Sequence, residues 1–310
     1  MPKSIVKNSH HIGRFAPSPT GRMHLGNVYA ALMSWLFARA SGGLWLLRIE
    51  DLDPERSRQE YADALMSDLE WLGLEWDGTP LYQSQRTDIY RHYFEQLTQQ
   101  GLVYPCFCTR ADILATQAPH QSDNRVVYSG ACRGLTYDQI RQRMAERKPS
   151  WRLMMPDAES SYVDAIYGPQ RCNLKRDCGD IVIRRADGAF AYQLAVSVDD
   201  ALSGVTQVVR GRDLILSAHQ QIAICGMLSL KPPEYAHVPL LINENAQRLS
   251  KRDNSLNIGV LREKFSPQQL IGILAYKTGL KDDCEPVTPQ ELIKTFNTCS
   301  IKPKDILMTI

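Results

Sequence analysis

The segment RFAPSPTGRMHLGN, residues 14 to 27, crowds prolines, glycines, two arginines and a histidine between two patterned stretches. Ile12 and Phe15 at its start suit a short strand, while Leu25, Val28, Tyr29, Leu32, Trp35 and Leu36 recur at steps of three and four, one face of a helix. A strand that turns through Pro17, Pro19 and Gly21 and then opens a helix leaves backbone N–H groups at the helix start ready to face an anion. A second chemical grouping is Cys106 and Cys108 in CFC, with Tyr128 and Cys132 in YSGAC. Three thiolates bind zinc tetrahedrally when a fourth ligand completes the set, but C-x-C is tighter than the common zinc spacing, and three unrelated buried thiols read as well. The remaining cysteines, Cys172, Cys178, Cys225, Cys284 and Cys299, form no ligand grouping.

The elements that must position these residues follow from pattern. GGLWLLRIEDLD, residues 42 to 53, is an apolar run ending in charge, as a buried parallel strand does where its C-terminal end meets a ligand crevice. Tyr61, Leu65, Leu69 and Leu72 predict one helix, and Ile89, Tyr93, Phe94 and Leu97 another. Strand, helix, strand, helix is the order of a doubly wound α/β sheet. Between residues 109 and 150 the chain is polar and aperiodic, which reads as an insertion carried on the sheet. WRLMM, DIVIRR, FAYQLAVSVDD and VTQVVRG read as strands, and Leu214 to Leu228 as a helix. Ser266-Pro267 and Thr288-Pro289 each place a cap before a first-turn proline, so the tail is expected to be helical.

A 310-residue chain accommodates two domains or one elaborated α/β domain with an insertion. Its 36 Lys and Arg against 34 Asp and Glu leave a net charge of +2, too mild to demand nucleic acid and no bar to a local basic face. There is no apolar run of membrane-spanning length, and MPKSIVKNSH lacks the apolar core of a signal peptide, so a cytoplasmic protein without membrane association is expected. Eight cysteines in that compartment point to thiols or metal ligands rather than disulfides.

RFAPSPTGRMHLGN, RIEDLD, VVRGRDL and RLSKRD occur in the order and context of the glutamate-specific class I aminoacyl-tRNA synthetases, and from Arg14 to about Arg252 the chain resembles that family. The resemblance implies a Rossmann-type doubly wound parallel sheet with a zinc-bearing insertion and a short helical C-terminal segment. Residues 1–240 would form the catalytic domain, interrupted at about 105–150, and residues 241–310 the loop equivalent to the family's KMSKS motif plus that helical segment. It makes the anion the triphosphate of Mg-ATP, held by Gly21, His24, Gly26, Asn27, Ser250 and Lys251, with His24 and Lys251 catalytic. Amino-acid activation sets a carboxylate in line with the α-phosphorus, so such a site needs cations and N–H groups around the phosphates. Taken singly, His24 could be a helix cap and Lys251 a solvated lysine.

By the same resemblance Arg14, Phe15, Ala16, Pro17, Ser18, Glu50, Tyr192 and Arg210 bind L-glutamate: Glu50 receives the ammonium, and a guanidinium fork suits a carboxylate. The alternatives are salt bridges knitting strand ends for the arginines and core packing for Tyr192. Some members of the family carry a Cys-x-Cys, Tyr-x₃-Cys zinc site in the insertion that faces the tRNA acceptor stem. Cys106, Cys108, Tyr128 and Cys132 match it position by position, implying one Zn²⁺ per chain.

Only 58 residues follow Arg252, which reads as too few for the family's helical anticodon-binding domain. The chain resembles truncated bacterial paralogues, and that resemblance implies a partner other than a tRNA 3′ end: the queuosine base in the anticodon of tRNA(Asp), with the stem of the anticodon arm read by shape and backbone. Activation without tRNA and a monomeric state are the matching expectations. Three other readings stay open: an ordinary or discriminating glutamyl-tRNA synthetase charging the 3′ end, an adenylate-forming enzyme without tRNA, and a catalytically inactive paralogue that only binds tRNA.

Overall fold

The structure, a computed structural model, describes residues 11–115, 127–249 and 256–308; Ser250 and Lys251 lie outside the described residues. In chain order the first half runs β1 (Ile12–Phe15), α1 (Leu25–Ala40), β2 (Leu44–Ile49), α2 (Gln59–Trp71), β3 (Leu81–Tyr82), α3 (Thr87–Gln99), β4 (Val103–Cys106), α4 (Arg110–Ala115), α5 (Tyr137–Glu146) and β5 (Ser150–Leu153). Then come β6 (Glu159–Asp164), β7 (Gly168–Asn173), β8 (Ile181–Arg184), α6 (Tyr192–Leu202), β9 (Gln207–Gly211), α7 (Ile215–Met227), β10 (Glu234–Val238), β11 (Leu241–Ile242), α8 (Ile258–Lys264), α9 (Pro267–Lys277), α10 (Pro289–Ile293) and β12 (Ile306–Leu307).

The strands that carry the motifs pair in parallel. β1 lies beside β2 with Arg14 opposite Leu46, β2 beside β3, and β9 beside β10 with Arg210 opposite His237. The amide of Thr206, just before β9, donates to the carbonyl of Ile12 at 2.9 Å and brings the two parallel groups together. α1 is buried on nearly every face, from Leu25 through Ala38, because it lies between β1, β9 and the C-terminal α10. That explains why its apolar positions outnumber a single amphipathic stripe. The tail is helical where Ser266 and Thr288 cap α9 and α10, each with proline in the first turn. It ends in a short strand, β12, parallel to β11.

One expectation fails. FAYQLAVSVDD is not a strand: from Tyr192 it forms α6. Leu194, Ala195, Val196, Ser197, Val198, Asp199 and Asp200 are all buried, so the helix shows no polar face, and its alternating valines mimic strand spacing. The aperiodic stretch after residue 109 carries α4 and α5, and α5 buries none of its residues, which is why no period is visible there. Flanking it, β4, β5 and β8 form an antiparallel sheet, and β6 and β7 an antiparallel hairpin. Among the described residues no helix is long and apolar enough to cross a membrane.

Candidate active site

A cavity of about 520 Å³ opens at the C-terminal ends of β1, β2 and β9 and against the start of α1. Its walls bring together Arg14, Phe15, Ala16, Pro17 and Ser18 from the strand and turn, and Gly21, His24, Gly26 and Asn27 from the turn and helix start. Glu50, Tyr192, Arg210, Arg248 and Leu249 complete it. Every residue expected to hold glutamate therefore lies on one surface, as does the described part of the phosphate set.

Local backbone explains the shape. Gly21 takes φ 147°, a conformation that favours glycine, and lets the chain turn into the helix. His24 caps α1, its amide donating to the Asn27 side chain at 3.2 Å. A Cβ on Gly26 would come within 2.9 Å of His24 Cε1 and 3.0 Å of Nδ1, so Gly26 makes room for the imidazole itself. The carbonyl of Met23 accepts from the amide of Ile258 at 2.9 Å, and His24 forms a β-bridge with Asn257. Buried Asp68 of α2 accepts from Arg22 at 3.0 Å and from Arg262 of α8 at 2.7 Å. The two chain segments bearing the phosphate-site motifs are thus joined immediately after residue 255, while Arg248 on the near side is ion-paired with Asp213.

The charges are arranged in depth. Asp200 of α6 accepts Arg14 Nε at 3.1 Å and Nη2 at 3.3 Å, and Arg48 Nη1 at 2.6 Å; Arg48 Nη2 reaches Glu50 at 3.3 Å. Burial opposes a charge on Asp200, but the guanidiniums of Arg14 and Arg48 outweigh it and hold its carboxyl below the usual range. Glu50 goes the other way: burial raises it, and Arg48 and Arg14 only partly offset that. Arg210 is held differently, with Nε donating to His237 Nε2 at 3.1 Å, Nη1 to Gln221 at 2.9 Å and Nη2 to the carbonyl of Leu214 at 3.1 Å. Among the described residues no carboxylate pairs with it. Arg14 and Arg48 are thus met directly by Asp200 and Glu50, whereas Arg210 is met by neutral acceptors, which leaves its guanidinium ready for an anionic ligand.

Arg48, Asp200, His237, Asp164 and Gln221 are functional candidates that sequence reasoning did not single out. Their available signal was a charged or polar residue inside a buried run: Arg48 in LWLLRI, Asp200 in AVSVDD and His237 in EYAHV.

Away from this cavity, Cys106, Cys108 and Cys132 bring their sulfurs within 4.8 Å of one another. The Tyr128 hydroxyl lies 3.3 Å from Cys106 Sγ and 3.6 Å from Cys108 Sγ, and Cys108 and Cys132 Sγ are 3.6 Å apart. Tetrahedral zinc with Zn–S bonds of about 2.3 Å sets sulfurs about 3.8 Å apart, so this donor set fits the ion. The Arg152 guanidinium lies 3.8 Å over the Tyr128 ring, while burial and the hydrogen bonds to the cysteines raise the Tyr128 phenol. Burial pushes the Cys108 thiol up to about 11.

Over residues 12–307 the chain matches the family described as tRNA synthetases class I (E and Q), catalytic domain. It is 43% identical over 312 residues to a glutamyl-Q tRNA(Asp) synthetase of Nitratidesulfovibrio vulgaris, a match covering 95% of this chain and 96% of that one. Against the protein of the same name from Symbiobacterium thermophilum it is 44% identical over 301 residues, 93% of each. Among solved structures, a glutamate tRNA ligase of Elizabethkingia meningosepticum in complex with its amino acid superposes with TM-score 0.82 at 28% identity, over 97% of this chain and 67% of that one. The glutamate-tRNA synthetase of Elizabethkingia anophelis gives 0.83 at 28% identity, over 97% and 68%.

Proposed function

The chain belongs to the class I tRNA synthetases for glutamate and glutamine, and from that premise we propose that it activates L-glutamate with ATP and transfers it to the queuosine base in the anticodon of tRNA(Asp). It is a synthetase-type ligase whose parallel strands read as a Rossmann-type doubly wound sheet. The observation that carries the choice of amino acid is Arg210: it lines the cavity and, among the described residues, has no carboxylate in contact with it, so a ligand carboxylate would answer its charge. Glutamine would leave that charge unanswered.

Glu50 receives the substrate ammonium, and Arg210 with the cavity side of Arg14 receives the side-chain carboxylate. Phe15, Ala16, Pro17, Ser18 and Tyr192 shape the walls around it. The α-carboxylate attacks the α-phosphorus of Mg-ATP and pyrophosphate departs, giving the mixed anhydride. Gly21, Gly26 and Asn27 place the phosphates at the start of α1, and His24 and Lys251 stabilise charge on them, with Ser250 beside the lysine in sequence. In the second step a hydroxyl of the queuosine cyclopentene ring attacks the activated carbonyl and AMP leaves. Cys106, Cys108, Tyr128 and Cys132 would hold one zinc ion, which supplies a structural cross-link to the segment between β4 and β5.

Glutamate-dependent exchange of labelled pyrophosphate into ATP, without tRNA, is the expected first result. Labelled glutamate then attaches to tRNA(Asp) carrying queuosine and not to the same tRNA carrying guanine. Nuclease mapping that finds the label on the 3′-terminal adenosine of tRNA(Glu) instead would make this an ordinary charging enzyme.

A further inference from the structure

Behind Arg210 lies a buried polar chain that the activation chemistry does not use. His237 and Asp164 are wholly buried, and the histidine Nδ1 is 2.6 Å from Asp164 Oδ2. Asp164 is itself fixed by backbone: its Oδ1 accepts from the amides of Ile166 at 3.0 Å and Tyr167 at 2.9 Å, and the carboxylate takes the amide of His237. On the other side of the ring, Nε2 faces Arg210 Nε at 3.1 Å. Arginine only donates, so Nε2 must be the bare, accepting nitrogen and the proton must sit on Nδ1, where Asp164 accepts it. Arg210 and His237 are direct cross-strand partners on β9 and β10, so the sheet register places them on the same face. Tyr235, stacked on the His237 ring at 5.9 Å, lies beneath the Arg210 guanidinium at 5.2 Å and confines it to one plane.

We propose that Asp164 and His237 are positioning residues for glutamate selection: Asp164 locks the His237 tautomer, and the bare Nε2 aims the Arg210 guanidinium at the substrate carboxylate without neutralising it. Had a carboxylate stood where His237 stands, it would orient the arginine equally well and cancel the charge that distinguishes glutamate from glutamine. A neutral acceptor orients the fork and keeps the Asp164 carboxylate one imidazole ring away from it, out of contact with the guanidinium. With Nε, one N–H of Nη1 and one of Nη2 occupied by His237, Gln221 and the Leu214 carbonyl, one N–H on each Nη remains for a carboxylate. This assignment rests on the proposed reading of the cavity as a glutamate site.

The test is Asp164→Asn in the full chain. Because Oδ1 already accepts two backbone amides, the new side-chain oxygen must stay there and the NH₂ must take the place of Oδ2, facing Nδ1. The imidazole proton is then driven to Nε2, against the N–H of Arg210. In the pyrophosphate-exchange assay the KM for glutamate should rise about tenfold or more, as expected for losing a hydrogen bond to a charged group, while the KM for ATP stays within about twofold. Nitrogen-15 spectra of the imidazole should show the protonated nitrogen moving from Nδ1 to Nε2. His237→Gln, whose amide oxygen can stand in for Nε2, should recover most of the glutamate affinity that His237→Leu loses, so the assignment can be judged even if Asp164→Asn fails to fold. A wild-type glutamate KM in Asp164→Asn, or equal losses in the Gln and Leu variants, overturns the positioning role while leaving the wild-type reaction standing. A wild-type protein that shows no glutamate-dependent exchange overturns the underlying reading and this assignment with it.

Discussion

Arg14 donates twice to Asp200, through Nε at 3.1 Å and Nη2 at 3.3 Å, joining the first strand to a helix 186 residues further along the chain. Asp200 also takes Arg48, so one buried carboxylate holds two guanidiniums side by side. Asp200→Asn removes the buried carboxylate that the two guanidiniums share, leaving Glu50 on Arg48 and none on Arg14. The expected cost is about 3–5 kcal/mol of stability, the range for breaking a buried ion pair by removing one partner. The pH dependence has a definite sign. Asp200 titrates lower in the folded state than in the unfolded chain, so its contribution is present above the ordinary aspartate range and is lost as pH falls through the lowered folded value. Urea denaturation should therefore separate variant and wild type at neutral pH and bring them together in strong acid; equal midpoints at neutral pH would refute the role.

This relationship also marks where the sequence stops being legible. The strand–turn–helix around residues 12–40, the strand at 44–49 and the capped helices after Ser266 and Thr288 could be read because each is specified by neighbours in sequence. α6 was misread because its specification is not local. Val196 and Val198 alternate like a strand, whereas the helix is stabilised by packing on every side and by partners far away. Asp199 is held by Gln83, Arg86 and Tyr90, and Asp200 by Arg14 and Arg48. The cavity lining was legible through motif resemblance, but its supporting layer was not, since nothing near His237 in sequence announces Asp164, 73 residues away.

Glu50 presents the opposite electrostatic case. Its folded-state value is raised, chiefly by burial, so the charged carboxylate costs stability at neutral pH and that cost vanishes as pH falls below the ordinary glutamate range. Glu50→Gln should then melt no lower than wild type at pH 8, with any advantage fading in acid, and should lose glutamate-dependent exchange because the substrate ammonium has no partner. A variant that melts well below wild type at pH 8 would show that Glu50 is there to hold Arg48 and not to meet a ligand.

The thiol cluster makes a separate prediction. Protein purified without chelator should contain about one zinc per chain, and Cys132→Ser should lose it, because removing one of four donors opens a tetrahedral structural site. Metal analysis by mass spectrometry measures this directly. Exchange activity of the serine variant in the absence of tRNA should change little, since Cys106, Cys108, Tyr128 and Cys132 do not line the cavity that holds Arg14 and Glu50. Metal-free wild-type protein would remove zinc from the account.

Gly26 offers the sharpest separation of stability from activity. At the second position of α1, alanine gains over glycine at most the helix-interior value of about 1 kcal/mol, because its unfolded chain has less freedom to lose. Against this stands the Cβ itself, which would sit 2.9 Å from His24 Cε1 and 3.0 Å from Nδ1 and must drive the imidazole aside. Forcing a partly fixed side chain from its place costs about 1–3 kcal/mol, so the two effects largely offset and the melting temperature of Gly26→Ala should lie within a few degrees of wild type. The imidazole, however, would have moved from the cavity wall proposed to face the phosphates, and on that proposal the loss falls on the chemical step. Exchange at saturating glutamate and ATP should drop by about tenfold or more, the scale of losing one positioned group that stabilises developing charge. Gly26→Ser should do the same, its Cβ meeting the ring at the same place. Wild-type turnover in Gly26→Ala would mean that the His24 ring can leave its position without consequence, and that the start of α1 binds phosphate through its backbone alone.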